Sequence, residues 1–395
     1  MNPVLPFKLP SDTLVNIAFY IEKVDILFAL LEALRPAYDL GILEHVRQLH
    51  HQLHWKKNDL WPRLSLTEAE ESSLVHLEPI IKYYSEVAVN DMTQVEWFCP
   101  LIDLTTRITW TPRRRRLDPT DLVPWKSFRI TRVDPWFEDC NQPLQTLLLL
   151  PHLEEIDCNN CNNQTAEAIF KFAATSSNLR SLKVRTGQRS SSPAWITSEM
   201  ADDIMQWNIS RPIEVFRLWK FKWDSQALRD QVVASVLGNP ALEEFTLDET
   251  LDDIGNYGFC AYYNREDHSL KLTLSDANNN QASAIDQFTP AMAVFAQLLR
   301  TKITKFCLVE SWIKKSHRIW SILAPLLQEC PLETLSLELT TFTVDDVRIV
   351  TQKCHSKLRN YSSRQPQLQS KSCQFDPKER LDIRIKNGEF YKILP

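Results

Sequence analysis

Between Leu153 and Leu358 the chain repeats itself, and a fixed repeat constrains a fold more than any single motif. An apolar triplet at relative positions 1, 4 and 6 recurs seven times, each copy followed by a segment of helical period. The triplets are Leu153/Ile156/Cys158, Leu179/Leu182/Val184, Ile213/Phe216/Leu218 and Leu242/Phe245/Leu247, then a weaker Ser269/Leu272/Leu274, Ile303/Phe306/Leu308 and Leu332/Leu335/Leu337. A truncated copy starts at Leu358 with Tyr361. First positions lie 26, 34, 29, 27, 34, 29 and 26 residues apart. No single turn of such an array can bury its apolar face, so neighbours must share one core.

The intervening segments agree. Ala166, Ile169, Phe170 and Ala173 fall at helical spacing, as do Met292, Phe295, Ala296 and Leu299, and Ile319, Ile322, Leu323 and Leu326. Gly238-Asn239-Pro240 and Cys330-Pro331 stop helices just before a triplet, because proline cannot continue a helix and favours an extended predecessor. Relative position 9 reads Cys161, Gly187, Phe221, Thr250, Ala277, Ser311 and Thr340, small in every copy but Phe221. The period resembles that of leucine-rich repeats of the ribonuclease-inhibitor type. That resemblance implies an α/β fold, a horseshoe solenoid of short parallel strands and helices over residues 151–361.

Composition narrows the function classes. The net charge of −5 is nearly balanced over 395 residues, which points to neither nucleic acid nor membrane as a partner. No cationic segment followed by an apolar run opens the chain, and no apolar stretch approaches 20 residues, so an intracellular protein, cytoplasmic or nuclear, is expected. Nine cysteines, an odd and scattered set, suit reduced core thiols. Only 6 glycines are present, none closer than Gly255 and Gly258, so phosphate-cradling loops have no material. No nucleophile elbow, zinc-protease motif or kinase set occurs, and no enzyme, cofactor or metal is expected.

Residues 1–66 form a different module. Ser11 or Asp12 caps a helix with an apolar stripe of Leu14, Ile17, Ala18 and Ile21. A second helix from Asp25 carries Leu27, Leu30, Leu31 and Leu34 and stops at Arg35-Pro36; a polar stretch with four histidines leads to Leu60-Trp61-Pro62-Arg63-Leu64. Leu9, Pro10, Leu14, Ile17, Ile21, Asp25, Ile26, Leu27, Leu30, Leu60, Trp61 and Leu64 resemble the F-box, while Ala33-Leu34-Arg35-Pro36 stands where an F-box usually has Cys and Trp. The resemblance, to F-box/leucine-rich-repeat proteins, implies a Skp-type adaptor of a cullin–RING ubiquitin ligase docking on Leu9, Pro10, Leu14, Ile17, Ile21, Leu27 and Leu30. The alternative is a helical cap on the array. Residues 67–150 read as atypical early turns, with Met92/Val95/Trp97 and Trp125/Phe128/Ile130 as degenerate triplets. Residues 362–395 read as a polar linker and a capping hairpin turning at Asn387-Gly388.

Several constellations have plain explanations. Cys158 and Cys161 fill core and turn positions better than half a zinc site. His50, His51 and His54 suit a solvated loop, and Arg113 to Arg116 a solvated face rather than a phosphate or import patch. The repeat itself offers a sharper candidate. With positions 1, 4 and 6 inward, positions 3, 5 and 7 of each strand face the concave surface of the implied solenoid. The first and fourth strands then show Glu155/Asp157/Asn159 and Glu244/Thr246/Asp248. The middle two pool Lys183, Arg185, Arg217 and Trp219, with Lys220 and Lys222 beside them. Trp with arginine is the composition of an interface hot spot, suited to an acidic or phosphorylated protein target. The bland alternative tucks Trp219 beneath the 187–207 insertion. Together these readings predict a non-catalytic substrate-recognition subunit, or else an interaction scaffold without ligase role.

Overall fold

The computed structural model describes residues 10–66, 69–90, 97, 99–111, 123, 125–134, 143–186, 194–250, 257–276, 295, 303–311, 326, 331, 334–339, 382–386 and 389–393. The Arg113 to Arg116 run, Leu9, Met92/Val95, Leu332, the truncated copy at Leu358, the 362–378 segment and most of the helical patterns at 292–299 and 319–326 lie outside the described residues. The chain is α/β, its sheet strands mostly parallel, and it divides into two compact units, Met1–Cys158 and Asn159–Pro395.

The first unit starts with helices α1 (Ser11–Phe19), α2 (Val24–Leu34), α3 (Ile42–His51) and α4 (Lys57–Leu60), followed later by α5 (Leu74–Ile81) and α6 (Pro143–Leu148). The histidine-rich stretch expected as a loop is thus largely helical in α3, because Leu43, Val46 and Leu49 repeat every third residue and are all buried. His50 and His51 end that helix, His50 bonding Trp55 O and His51 bonding Glu32. Strands β1 (Leu64–Ser65), β2 (Glu86–Val89), β3 (Arg107–Trp110) and β4 (Ile130–Val133) pair in chain order, all parallel, and β4 pairs with β5 (Glu155–Cys161), within which the two units meet in sequence. Trp125, Phe128 and Ile130 are buried as expected of a triplet, but the register sets Val133, not Phe128, beside Ile156 of the next triplet.

The second unit contains β6 (Ser181–Thr186), β7 (Ala194–Ile196), β8 (Val215–Trp223), β9 (Glu244–Thr250), β10 (Tyr257–Asn264), β11 (Ser269–Asp276), β12 (Lys305–Ser311) and β13 (Thr334–Leu339). Its pairing order is β6-β8-β9-β10-β11-β12-β13, with β7 on β8. Helices α7 (Asn163–Thr175), α8 (Ser198–Ser210) and α9 (Gln226–Leu237) alternate with the first of these strands. Each begins on a side-chain cap: Asn162 accepts from Thr165 N at 2.8 Å, Thr197 from Met200 N at 3.3 Å, and Ser225 from Leu228 N at 3.2 Å. Such caps satisfy amide donors that a helix start leaves open.

The triplets lie where periodicity puts them. Register aligns Leu182 with Phe216 and Phe216 with Phe245; one step on, Val184 aligns with Leu218 and Leu218 with Leu247. All six are at most 1% exposed. The Phe216 and Phe245 rings stack at 6.1 Å, and Phe295 meets Phe245 edge-on at 6.2 Å.

Two expectations are overturned here. The fifth triplet is displaced: Phe306 and Leu308 pair with Leu270 and Leu272, so those two residues, both buried, replace Leu272 and Leu274 at positions 4 and 6. A strand's period of two makes registers two residues apart alike in pattern. The parallel rule also breaks, because β10 runs antiparallel to both β9 and β11. Tyr257-Gly-Phe-Cys-Ala-Tyr-Tyr is rich in aromatic residues, which suit strands, where a repeat helix was anticipated. At the far end β14 (Asp382–Lys386) and β15 (Glu389–Ile393) form the expected antiparallel hairpin, with β14 next to β13.

One ion pair is buried in the second unit. Arg229 of α9 donates to Glu249 of β9 at 3.1 Å, and the two side chains are 7% and 2% exposed. Burial pushes the Glu249 carboxyl from 4.5 up to about 7, against the pull of Arg229. Its pKa is higher folded than unfolded, so the stability that Glu249 adds is fully present below 4.5 and is lost as pH rises through about 7. The melting temperature should therefore fall over that rise in pH, and Glu249→Gln should flatten the fall. Separately, Phe216→Ala should lower unfolding free energy by about 3–5 kcal/mol in urea titrations, since it opens a cavity in a shared row.

Candidate functional site

Alternation along each strand sends positions 4 and 6 inward and leaves positions 3, 5 and 7 on the opposite face. In the first unit that face is charge-balanced. Arg63 meets Glu86 at 3.2 Å, Arg107 and Arg129 both reach Glu154 at 2.8 and 3.2 Å, and Arg132 lies 3.5 Å from Glu155 and 3.6 Å from Asp157. The acidic first strand anticipated from the repeat is thus answered by arginine within its own unit.

The second unit differs. Register places Lys183 beside Arg217 and Arg185 beside Trp219, then Arg217 beside Thr246 and Trp219 beside Asp248. All four residues singled out by spacing, Lys183, Arg185, Arg217 and Trp219, therefore lie on adjacent strands about 4.8 Å apart. Their environments are not alike. Arg217 is committed to an ion pair with Glu244 on β9, both side chains about a quarter exposed (26% and 29%). Arg185 is exposed and sets its guanidinium over the Trp219 ring, 4.9 Å from the centroid. Such a stack holds a cation flat while leaving its outer edge in water. Repulsion among Lys183, Arg185 and Arg217 is thus lessened within the chain, because Glu244 and the Trp219 ring each take one of them.

The backbone beneath Trp219 is shaped by a bulge. Register shifts between Trp219 and Phe221, where Lys220 adopts a left-handed φ of 64°. Asn160 of β5, also at relative position 8, has φ 62°. One left-handed residue resets the alternation, so Phe221 turns inward, fully buried and 6.3 Å from Phe170. That explains the one large residue at relative position 9. Thr186 Oγ1 donates to Lys220 O at 2.8 Å and pins the bulge. Strand β7 pairs with Phe221 to Trp223, past Trp219, which is itself half-buried, so this described part of the 187–207 insertion does not pair over it. The strand carries Trp195, 40% exposed, with Lys222 Nζ 5.5 Å above its ring.

Asp248 faces this cluster. Its partial burial raises its carboxyl pKa, a rise opposed by Lys220 and Arg185. Next to Trp219, four cations (Lys183, Arg185, Arg217 and Lys220) thus stand against two carboxylates (Glu244 and Asp248), in a chain whose net charge is −5. The unforeseen strand β10 extends the face, setting Tyr262 beside Thr246 and Lys271 beside Tyr262. Cys260 stands beside Asp248; burial, with help from Asp248, pushes its thiol up to about 11, so it is not a thiolate nucleophile. Cys158 and Cys161 are buried in place. Among the described residues no cluster of three or more His, Cys, Asp or Glu could hold a metal, and no helix is long and apolar enough to cross a membrane.

The adaptor-docking set divides. Leu14 and Leu27 are buried in the core of the first unit, because they lie on the inward stripes of α1 and α2. Ile21 and Leu30 are half-buried, Pro10 is exposed, and Ile17 is 43% exposed. Tyr20 at 88% and Ile26 at 54% join the exposed apolar residues, where outward position, not spacing, singles them out. Trp61 ties this region down: its ring packs on Phe19 and Tyr84, and Nε1 donates to Ile21 O at 2.5 Å.

No protein-family model matches the chain, and the comparison with curated proteins finds no match, so the functional reading rests on this geometry. The bulge generates its own test. A left-handed non-glycine residue costs about 1 kcal/mol or more. Lys220→Gly should therefore leave stability level or higher, while Lys220→Ile should lower it, as read by thermal melts.

Proposed function

We propose that the chain is a non-catalytic, F-box-type substrate-recognition subunit of a Skp/cullin–RING ubiquitin ligase. In this reading the repeats form a leucine-rich-repeat solenoid of the horseshoe kind, and its concave strand face between β6 and β9 binds an acidic or phosphorylated protein target. The solenoid is favoured by the rows at positions 4 and 6 and by capped helices between successive strands. The ligase role is carried by one observation: Ile17, Tyr20 and Ile26, three large apolar side chains on or next to α1 and α2, remain exposed while their neighbours fill the core. A region that served only to cap an array would turn polar residues outward.

A second reading, an interaction scaffold whose helices only cap the repeats, is favoured by Trp61. Its hydrogen bond to Ile21 O and its packing on Tyr84 build the helices into the first unit. Both roles are compatible with one another.

Co-purification with a Skp-type adaptor separates them. Wild type should bring the adaptor down, and Ile17→Asp with Tyr20→Ser should abolish that without changing the melting temperature. A wild-type chain that never captures such an adaptor leaves only the scaffold. For the target arm, Arg185→Ala or Trp219→Ala should weaken binding by about 2 kcal/mol, and rising salt should weaken it further in wild type than in Arg185→Ala.

A further inference from the structure

We infer that Asp248 is a built-in counter-ion that competes with the target's anionic group for Arg185 and Lys220; the inference rests on the anion-binding reading of this face. The geometry is specific. Trp219 is flanked in register by Arg185 on one neighbouring strand and Asp248 on the other, so a cationic and an acidic residue stand on either side of one strand position. Arg185 is held flat over that ring at 4.9 Å, and Lys220 follows Trp219 in the pinned bulge. Both cations act on the Asp248 carboxylate.

A carboxylate so placed occupies the position that an incoming phosphate or carboxylate needs. Arginine pairs with either anion through the same planar fork, so the two compete for one set of donors. Asp248 is also partly desolvated, which disfavours its charged form and makes it easier to neutralise than a fully hydrated carboxylate. A target anion bearing two charges, or several carboxylates in a row, displaces it, whereas a solitary weak anion does not. The device sets a threshold: it suppresses adventitious anions on a cationic face and admits the multiply charged partner.

The groups facing Asp248 are Arg185 from β6, Lys220 and Trp219 from β8, and Cys260 from β10. The Cys260 thiol, pushed up to about 11, stays neutral on acidification. Of these, Asp248 is the one that changes charge. Acidification therefore neutralises the competitor, and binding of an anion of constant charge should tighten as pH falls.

The test titrates the full-length chain, by calorimetry at low salt, with two probes: an oligoglutamate peptide and inorganic sulfate, which stays dianionic at mildly acidic pH. Wild type is compared with Asp248→Asn, Asp248→Ser, Arg185→Ala and Asp202→Asn, the last altering an exposed carboxylate on α8. Asp248→Asn should bind both probes about fivefold more tightly or better, the effect of one nearby unit charge in water. Arg185→Ala should bind them more weakly, and Asp202→Asn should match wild type. Sulfate affinity of the wild type should rise with acid and that of Asp248→Asn should not. If Asn disrupts folding, judged by its thermal melt, Asp248→Ser carries the comparison. Unchanged or weakened binding by the Asp248 variants, with Arg185→Ala still impaired, overturns the competitor while leaving the anion-binding face standing. An equal gain from Asp202→Asn also overturns it, as a general charge effect. Absence of binding by both wild type and Asp248→Asn removes the anion-binding reading and this inference together.

Discussion

The arrangement in the second unit depends on one constraint: no strand buries its apolar residues against its own helix alone. Leu182, Phe216 and Phe245 form one inward row, and Val184, Leu218 and Leu247 form the next, each held by the strands on either side. A residue in such a row belongs to two neighbours at once, so removing one ring loosens three strands. The rows also explain how β10 fits. It reverses direction, yet Tyr263 stands between Phe245 and Leu270, and Ala261 between Leu247 and Leu272, all of them buried. The core tolerates a change of strand polarity because the period-two alternation is the same in either direction.

The outer face follows from the same rule. Once alternate residues are committed inward, the residues between them face out with their charges in register. In the first unit the cross-strand pairs are complementary, Arg63 with Glu86 and Arg132 with Glu155 and Asp157, which balances that face. Around Trp219 the named cations outnumber the carboxylates, a local excess in a chain of net charge −5. Cross-strand pairs of this kind are partly exposed and contribute little to stability. Their arrangement therefore bears on partner choice more than on the fold.

Much of this was legible before any coordinates. The triplets at Leu179, Ile213, Leu242 and Ile303 match buried residues, and the helix stripe of Ala166, Ile169, Phe170 and Ala173 is wholly buried, because period and polarity are local in the chain. The failures share a cause. Spacing reads Leu272/Leu274 as the inward pair, and because registers offset by two residues look alike, only pairing with Phe306 and Leu308 identifies Leu270/Leu272 instead. Strand β10 was missed because the repeat implied a helix, although its aromatic run pointed to a strand. Helix α3 is masked in the sequence by its three histidines, whose polarity hides the inward Leu43, Val46 and Leu49.

The sequence by itself determined the period, the inward rows and which strands bring Lys183, Arg185, Arg217 and Trp219 together, because hydrophobic spacing dictates which side of a strand is buried. Tertiary structure alone decided what each of those four does. Spacing could not say that Arg217 is taken by Glu244, that Arg185 lies on Trp219, or that Lys220 bulges and turns Phe221 inward. It likewise could not separate Leu14 and Leu27, spent on the core, from Ile17, Tyr20 and Ile26, left exposed. Those outcomes hang on contacts between residues distant in the chain, where register and burial set each side chain's surroundings, and no local pattern encodes them.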